Sequence, residues 1–203
     1  MIDHRSFSYD GTLGSNVPPN NGKSKVKVSK GDLGLGLFAK RDIAVGERIL
    51  TFKGPLIDFD AAVAKGDKEC WPLQISPDEY IDLEKPGCFA NHSCNPNAGI
   101  KILSLIALTD IRSGVEIRYD YSTTMDEDSF TMPCRCGSAT CRGTVTDFKY
   151  LEADNRRRYL QLELVQPFIA LQYDINSGQR IEVPITVARR LSRRRNRALS
   201  VTG

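Results

Sequence analysis

Apolar and polar residues alternate along much of this chain with the two-residue period of half-buried strands. Val26 and Val28 alternate with polar residues, and further apolar or β-branched runs follow at 49–57, 71–75, 80–83, 98–111 and 115–121. The runs are short, and turn residues such as Gly54-Pro55 and Pro77-Asp78 divide them, which predicts a mostly β body of the α+β class. Strands do not alternate regularly with long helical segments, so a doubly wound sheet is excluded.

Two regions carry helical signals instead. Asp58 can cap a short helix from Phe59 to Lys65, and Gly66 stands where such a helix would end. From Asp147 to Gln166, apolar residues recur at helical spacing among charged ones, which predicts one amphipathic helix ending before Pro167. A second helix is expected at 168–173 and a short strand after residue 179.

Basic residues concentrate at the carboxyl end. The chain of 203 residues has a formal net charge of +3, and the last seventeen residues contain six arginines and no acid: Arg189, Arg190, Arg193, Arg194, Arg195 and Arg197. This tail is expected to be a solvated, mobile end; the alternatives are nuclear targeting, a weak nucleic-acid contact or a contact with another acidic surface. The length suits one sizeable core with attachments.

The sequence predicts neither a secretory leader nor a membrane span. The longest apolar run, Leu103 to Leu108, is far shorter than the roughly 20 residues that cross a bilayer. We therefore expect a soluble, intracellular chain, in the cytoplasm or the nucleus. Thiols stay reduced there, so the six cysteines are expected as thiols or metal ligands rather than disulfides.

Three of these cysteines are clustered. Cys134, Cys136 and Cys141 lie within eight residues of a Gly- and Ser-containing segment. Structural zinc takes four tetrahedral ligands, so this loop predicts three of them and a fourth from elsewhere in the chain. The candidates for the fourth ligand are Cys70, Cys88, Cys94, His4 and His92.

The segment at residues 91–97, Asn-His-Ser-Cys-Asn-Pro-Asn, is the densest group of polar side chains in the chain. It combines amides that can bind a polar ligand, a thiol that can bind metal and a proline that stiffens the turn. The alternative is an Asn/Pro-rich surface turn with one buried cysteine. If Cys94 is the fourth metal ligand, this segment, which we call the motif loop, is tied to the distant cysteines.

Four segments in order resemble those of the SET-domain protein lysine methyltransferases with a post-SET cysteine loop. They are residues 34–39 (Gly-Leu-Gly-Leu-Phe-Ala), 89–97, 114–121 and the Cys134-x-Cys136-x4-Cys141-Arg142-Gly143 pattern. The resemblance implies a SET fold of several small curved sheets with a pseudoknot, a short zinc loop and C-terminal helices. The expected organisation is a flexible leader at 1–24, a SET domain at 25–130, the zinc loop at 131–146, a helical extension at 147–186 and a basic tail at 187–203.

The resemblance also implies an activity: methyl transfer from S-adenosylmethionine to a lysine amine of a histone or another basic protein, giving mono- or dimethyl-lysine. The residues that would contact S-adenosylmethionine are Gly34, Leu35, Gly36, Leu37, Trp71, Asn91 and His92. Tyr121 corresponds to the catalytic tyrosine, and Tyr119 stands where the family has Phe or Tyr. The zinc ligands implied are Cys94, Cys134, Cys136 and Cys141.

Departures from the family keep other functions open. Cys88 stands where many members have an arginine, and the cysteine-rich pre-SET module of histone-directed relatives is absent from this sequence. The acceptor is therefore a histone, another basic protein or the chain's own tail. The rival functions are a non-catalytic zinc-stapled peptide-binding module and a nucleic-acid-associated factor acting through the tail. Cys70 and Cys88 taken alone predict small buried side chains, and Asp120 is expected to support a turn.

Overall fold

The structure is a computed structural model that describes residues 24–66 and 72–181. The predicted leader up to residue 23, Cys70, Trp71 and the arginine tail lie outside the described residues. No helix within the described ranges has the length and apolar character needed to cross a bilayer.

Short strands dominate the described part of the chain, which confirms the mostly β prediction. They are β1 (Val26–Gly31), β2 (Gly34–Ala39), β3 (Arg48–Thr51), β4 (Leu56–Asp58), β5 (Leu73–Ser76), β6 (Glu79–Ile81), β7 (Asn91–His92), β8 (Ala98–Lys101), β9 (Ser104–Ala107), β10 (Arg118–Tyr119), β11 (Met132–Pro133) and β12 (Thr144–Val145). The α-helices are α1 (Phe59–Lys65), α2 (Ala153–Gln161) and α3 (Pro167–Ala170), and 3₁₀ turns occur at Gly87–Phe89, Tyr121–Thr124 and Phe148–Tyr150.

The strands form five small sheets. Two have three strands, in the orders β3-β9-β8 and β4-β6-β5, and the others are the pairs β1-β2, β7-β10 and β11-β12. All pairings are antiparallel except β7 with β10, which aligns Asn91 with Arg118 and His92 with Tyr119. This parallel pair joins the motif loop to a segment far from it in sequence.

Two apolar clusters hold the described residues together. The larger lies between the sheets and includes Leu37, Ile100, Leu105 and Ile117, all almost fully buried. The second belongs to the carboxyl-terminal segment and comprises Phe148, Leu151, Tyr159, Leu160, Leu164, Val165, Phe168, Ile169 and Tyr173. The two regions meet where Leu164 packs on Gly99 of β8, so closely that a β-carbon on Gly99 would lie 2.7 Å from Leu164 Cδ2.

The helix predicted from Asp147 to Gln166 is wrong in its extent. Residues 148–150 form a separate 3₁₀ turn, α2 ends at Gln161, and Glu163 takes a left-handed backbone with φ of 55°. This reversal directs Leu164 into the second cluster. The apolar period continues beyond the end of the helix because the turn residues also pack, so periodicity alone did not mark the boundary.

The run at 98–111 also differs from the prediction, because β8 and β9 form a hairpin that turns at Ile102. Ile102 has a φ of 57°, unusual for a β-branched residue, and its carbonyl accepts a 2.9 Å hydrogen bond from Gln166 Nε2. A contact distant in sequence therefore supports this turn. The predicted cap of α1 is confirmed: Asp58 Oδ1 accepts from Ala61 N at 2.9 Å, and the helix ends at Gly66.

Because Leu164 packs on Gly99, we expect alanine substitution to destabilise the protein much more at Leu164 than at the nearby Leu162. Leu164 is 1% exposed and Leu162 is 44% exposed. We expect Leu164→Ala to lower the free energy of unfolding by about 2–5 kcal/mol, because it leaves a cavity between the two clusters. Leu162→Ala should change it by less than about 0.5 kcal/mol. Urea unfolding of both variants measures this; similar losses for the two would contradict the packing described here.

Candidate active site and metal centre

Four cysteines from three parts of the chain converge on one point. The Sγ atoms of Cys94, Cys134, Cys136 and Cys141 all lie within 4.8 Å of one another. Cys94 comes from the motif loop, Cys134 and Cys136 from the segment after β11, and Cys141 from the turn before β12. The structure therefore brings together the four thiols that the sequence predicts as one ligand set, with Cys94 as the fourth.

The donor set fits structural zinc. Tetrahedral zinc with Zn–S bonds of about 2.3 Å has sulfur atoms about 3.8 Å apart, and Cys94 Sγ lies 3.7 Å from Cys134 Sγ. Two backbone N–H groups point at the thiols, Arg142 N to Cys94 Sγ at 3.4 Å and Gly143 N to Cys141 Sγ at 3.5 Å. Such donors stabilise thiolates, the form in which cysteine binds metal.

Burial and hydrogen bonding act on these thiols in opposite directions. Burial raises the pKa of the Cys94 and Cys134 thiols. For Cys136 burial also acts upward, but hydrogen bonds from neighbouring backbone groups and thiols lower its pKa to about 6. One thiolate is thus available near neutral pH, and metal binding would displace the protons of the others.

His92 connects the cysteines to Tyr121. Its Nδ1 accepts a 3.2 Å hydrogen bond from Tyr121 N, and its Nε2 lies 3.3 Å from Cys94 Sγ. Burial lowers the pKa of His92 to about 4, so the ring is neutral at pH 7. Because Nδ1 accepts, the ring proton is on Nε2 and is directed at the sulfur. The side chain predicted to contact S-adenosylmethionine thus has both nitrogens engaged within the protein.

A buried carboxylate, that of Asp120, lies at the centre of the region. It is 1% exposed, and the Arg142 guanidinium donates to its two oxygens at 2.8 and 2.7 Å. The hydroxyl of Tyr159 on α2 donates to the same carboxylate at 2.9 Å, and Ser122 N donates at 3.1 Å. The expectation that Asp120 supports a turn is confirmed by the Ser122 contact, but its links to Arg142 and Tyr159 were not foreseen.

The first four residues of β2, Gly34–Leu37, follow directly on the turn at 32–33; this stretch, which we call the glycine turn, packs against the motif loop through Asn91. Asn91 Nδ2 donates to Leu35 O at 3.0 Å and to Glu116 Oε1 at 2.8 Å. A β-carbon on Gly36 would lie 2.3 Å from Glu116 Oε1, so a side chain there would have to displace the Glu116 carboxylate. The close approach forms a backbone-lined edge of the kind that a polar cofactor can contact.

Sequence reasoning missed the roles of Glu116 and Arg118. Arg118 Nε donates to Glu116 at 2.8 Å, and Arg118 Nη1 donates to Cys136 O at 3.1 Å. The pair thus links the glycine turn to the cysteines. Glu and Arg two residues apart on a strand project from the same face, which was a visible signal for the ion pair but not for its partners.

Tyr119 and Tyr121 line a cavity of about 520 Å³ whose described lining includes no residue of the motif loop or the glycine turn. Their ring centroids are 4.9 Å apart, and Tyr121 Oη donates to Ala90 O at 3.0 Å. Ala90 lines the cavity, whereas its neighbour Asn91 contacts the glycine turn. Cys88 also lines the cavity and is only partly buried, which corrects the expectation of a small buried side chain.

Comparison with known proteins identifies the domain. Residues 34–122 match the family described as SET domain. The chain contains a SET domain. It is 36% identical over 130 residues to the variant-silencing SET domain-containing protein of Plasmodium falciparum, and 32% identical over 127 residues to the H3 lysine-4 specific histone-lysine N-methyltransferase of Schizosaccharomyces pombe. These alignments cover 53% and 54% of this chain, but only 5% and 14% of the relatives.

A solved structure supports the SET fold. The methyltransferase domain of the human histone-lysine N-methyltransferase SETMAR matches with a TM-score of 0.50 and 23% identity, covering 60% of this chain and 58% of that one. The parallel β7-β10 pair lies where the expected pseudoknot requires the motif loop and the end of the SET domain to meet. The four-cysteine cluster, with one cysteine inside the matched residues and three just beyond them, is consistent with a post-SET zinc site.

The metal centre can be tested with two cysteine substitutions. We expect the purified protein to hold about one zinc ion per chain, and Cys94→Ser to lose it because three thiolates hold zinc less tightly. Cys88→Ser is the matched control, since Cys88 lies outside the cluster, and it should retain the metal. Elemental analysis gives the stoichiometry. Chelation should also open residues 131–146 to protease, and unchanged cleavage after proven zinc removal would contradict a structural role.

The buried carboxylate gives a separate stability prediction. Asp120→Asn should lower the free energy of unfolding by roughly 3–5 kcal/mol, because it leaves the Arg142 guanidinium without its charged partner. Tyr159→Phe removes one hydrogen bond from the same carboxylate and should cost about 1 kcal/mol. Denaturant titration at neutral pH compares the two. If Asp120→Asn costs no more than Tyr159→Phe, Asp120 does not have the central role given to it.

Proposed function

We propose that this chain is an S-adenosylmethionine-dependent protein lysine N-methyltransferase whose post-SET loop binds structural zinc. The main support is that the cavity and the glycine turn meet at two successive residues. Ala90 lines the cavity together with Tyr121, and the next residue, Asn91, contacts the glycine turn. Methyl transfer from sulfur to nitrogen is an in-line displacement, so a donor and an acceptor that approach from opposite sides suit it.

In this proposal the glycine turn, Asn91 and the backbone at His92 hold the methyl donor. S-adenosylmethionine supplies a methyl group on a positively charged sulfur. The close-packed edge formed by Gly36, Glu116 and Asn91 fits the polar amino-acid end of such a molecule. Trp71, the other predicted contact, stays a prediction because it lies outside the described residues.

The cavity would receive the acceptor lysine. Most of its lining is apolar or aromatic, and such surroundings lower the pKa of an ammonium group, which favours the neutral amine that attacks the methyl carbon. Tyr121 is oriented through its bond to Ala90 O and would position the amine. Burial raises the pKa of Tyr119, so it stays protonated and can hold the amine or a water.

The relatives suggest the acceptor class. The similar proteins include histone-lysine N-methyltransferases, and one is described as specific for lysine 4 of histone H3. We propose a histone or a histone-like basic protein as the substrate, which would place the activity in the nucleus. Because the chain spans a small part of those relatives, their substrates transfer to it only as a proposal. The proposed nucleic-acid contact of the tail concerns residues outside the described ones.

Methyl transfer can be tested with a Tyr121→Phe variant. The protein is incubated with labelled S-adenosylmethionine and core histones, and donor binding is measured in parallel by calorimetry. We expect Tyr121→Phe to lower the rate by about a hundredfold while donor binding remains, since the hydroxyl acts on the reacting groups. Tyr150→Phe, at an exposed tyrosine, is the control. Donor binding without transfer by the unsubstituted protein would instead favour the zinc-stapled peptide-binding module.

The product state depends on Tyr119 in this proposal. Its hydroxyl takes space and a hydrogen bond beside Tyr121, which should limit the product to mono- or dimethyl-lysine. Tyr119→Phe should therefore raise the proportion of higher methylation states, as measured by mass spectrometry of the product peptide. An unchanged distribution at equal turnover would contradict this role.

A further inference from the structure

The cavity beside Tyr119 and Tyr121 carries a single charged side chain among the described residues that line it. That residue is Glu127, which none of the assigned catalytic, donor-binding or metal roles uses. The remaining lining consists of apolar, aromatic and neutral polar residues. In a cavity of this size, one fixed negative charge selects between occupants mainly by the sign of their charge, and less by their shape.

Glu127 is held in place from two directions. The Tyr80 hydroxyl donates a hydrogen bond to its carboxylate, and the Ser129 side chain contributes another. Its backbone N–H donates to Asp147 Oδ2 at 2.9 Å, and the buried Asp147 also accepts from Asp128 N at 2.7 Å. The segment is therefore pinned to the interior, and the carboxylate presents a pre-positioned charge to the cavity.

The surroundings of Glu127 are short of positive charge. Asp126, Asp128 and Asp147 lie around it. The cations near these acids are Lys149, which is bonded to Asp128 and lies 3.9 Å from Asp147 Oδ2, and Arg180, whose charge also acts on Asp128. One oxygen each of Asp126 and Asp147 is buried without a hydrogen-bond partner within the described structure. Burial raises the pKa of both the Glu127 and Asp147 carboxyls. A cation that enters here would add charge compensation to that already provided by Lys149.

The wall contributed by α1 is apolar. This seven-residue helix has no buried residue, and Phe59 and Val63 line the cavity while 37% and 59% exposed. The Phe59 ring lies 6.3 Å from that of Tyr80, the residue that holds Glu127. The same cavity is thus lined by the apolar side chains of α1, by the negative Glu127 and by the two tyrosines.

We propose that Glu127 is a specificity-determining residue that selects protein substrates with a basic side chain close to the acceptor lysine. The carboxylate pairs with that flanking cation, and the apolar wall of α1 covers the stem of the same side chain or a neighbouring apolar residue. An acidic flanking residue is rejected by the carboxylate and the surrounding acids. This inference rests on the proposed methyltransferase function, because it takes the cavity as the acceptor site.

The test separates the flanking charge from the acceptor charge. Fluorescent nine-residue peptides carry norleucine in place of the central lysine, and a single Arg, Gln or Glu is moved through the positions from three before to three after it. Binding is measured by fluorescence anisotropy in the presence of S-adenosylhomocysteine. We expect one position at which Arg binds about tenfold more tightly than Gln, and Glu more weakly still.

Two variants assign that preference to Glu127. In Glu127→Gln the affinity ratio of the Arg peptide to the Gln peptide should fall to about one. Asp128→Asn removes the same charge one residue away, outside the cavity lining, and should keep the ratio near ten. Glu127→Asp retains a carboxylate and should keep part of the preference for the Arg peptide over the Gln peptide. Circular dichroism checks that each variant is folded.

Several outcomes would overturn the inference. No preference for Arg at any position in the unsubstituted protein excludes it without reference to any variant. A ratio that stays near ten in Glu127→Gln assigns the preference to another residue, and equal loss in Asp128→Asn reduces it to general electrostatics. If core histones receive no methyl group but the Arg preference is present and depends on Glu127, the proposed catalysis fails while the recognition site remains.

Discussion

The ion pair between Asp120 and Arg142 is the interaction on which the site depends. A carboxylate with 1% exposure is costly unless its charge is compensated, and here a bidentate guanidinium, a tyrosine hydroxyl and a backbone N–H all contribute. The partners come from the cysteine loop, α2 and the residue following Tyr121. Satisfying one buried charge therefore requires the SET domain, the metal loop and the helical extension to be in place together.

Two further contacts link the cysteine cluster to β10 and to the backbone of Tyr121. Arg118 reaches from β10 to Cys136 O, and His92 lies between Cys94 and the backbone of Tyr121. The cysteine cluster is therefore connected to the glycine turn through Arg118 and Glu116, and to the cavity through His92 and Tyr121. Zinc bound by these cysteines would also affect the tyrosines, since Cys94 contacts His92, and His92 accepts from the backbone of Tyr121.

Sequence reasoning recovered the parts of the site whose chemistry is encoded locally. Residue type and spacing were enough to indicate the three clustered cysteines, the amides of the motif loop and the cap at Asp58. The resemblance to the SET family then gave the order of these segments along the chain. The partners of Asp120, the bridge from Glu116 through Arg118 and the charge at Glu127 were missed, because each depends on contacts between segments remote in sequence. The turns at Ile102 and Glu163 were missed for a related reason: packing imposes a left-handed backbone on residues whose own preference lies elsewhere.

The contact between Gly36 and Glu116 limits how this domain can vary. A side chain at position 36 would occupy the space of the Glu116 carboxylate, and Glu116 is in turn fixed by Arg118, which holds the backbone at Cys136. A side chain at 36 would therefore push the Glu116 carboxylate away from Arg118 and Asn91. The effect of such a substitution would extend through Arg118 to the backbone of the cysteine cluster.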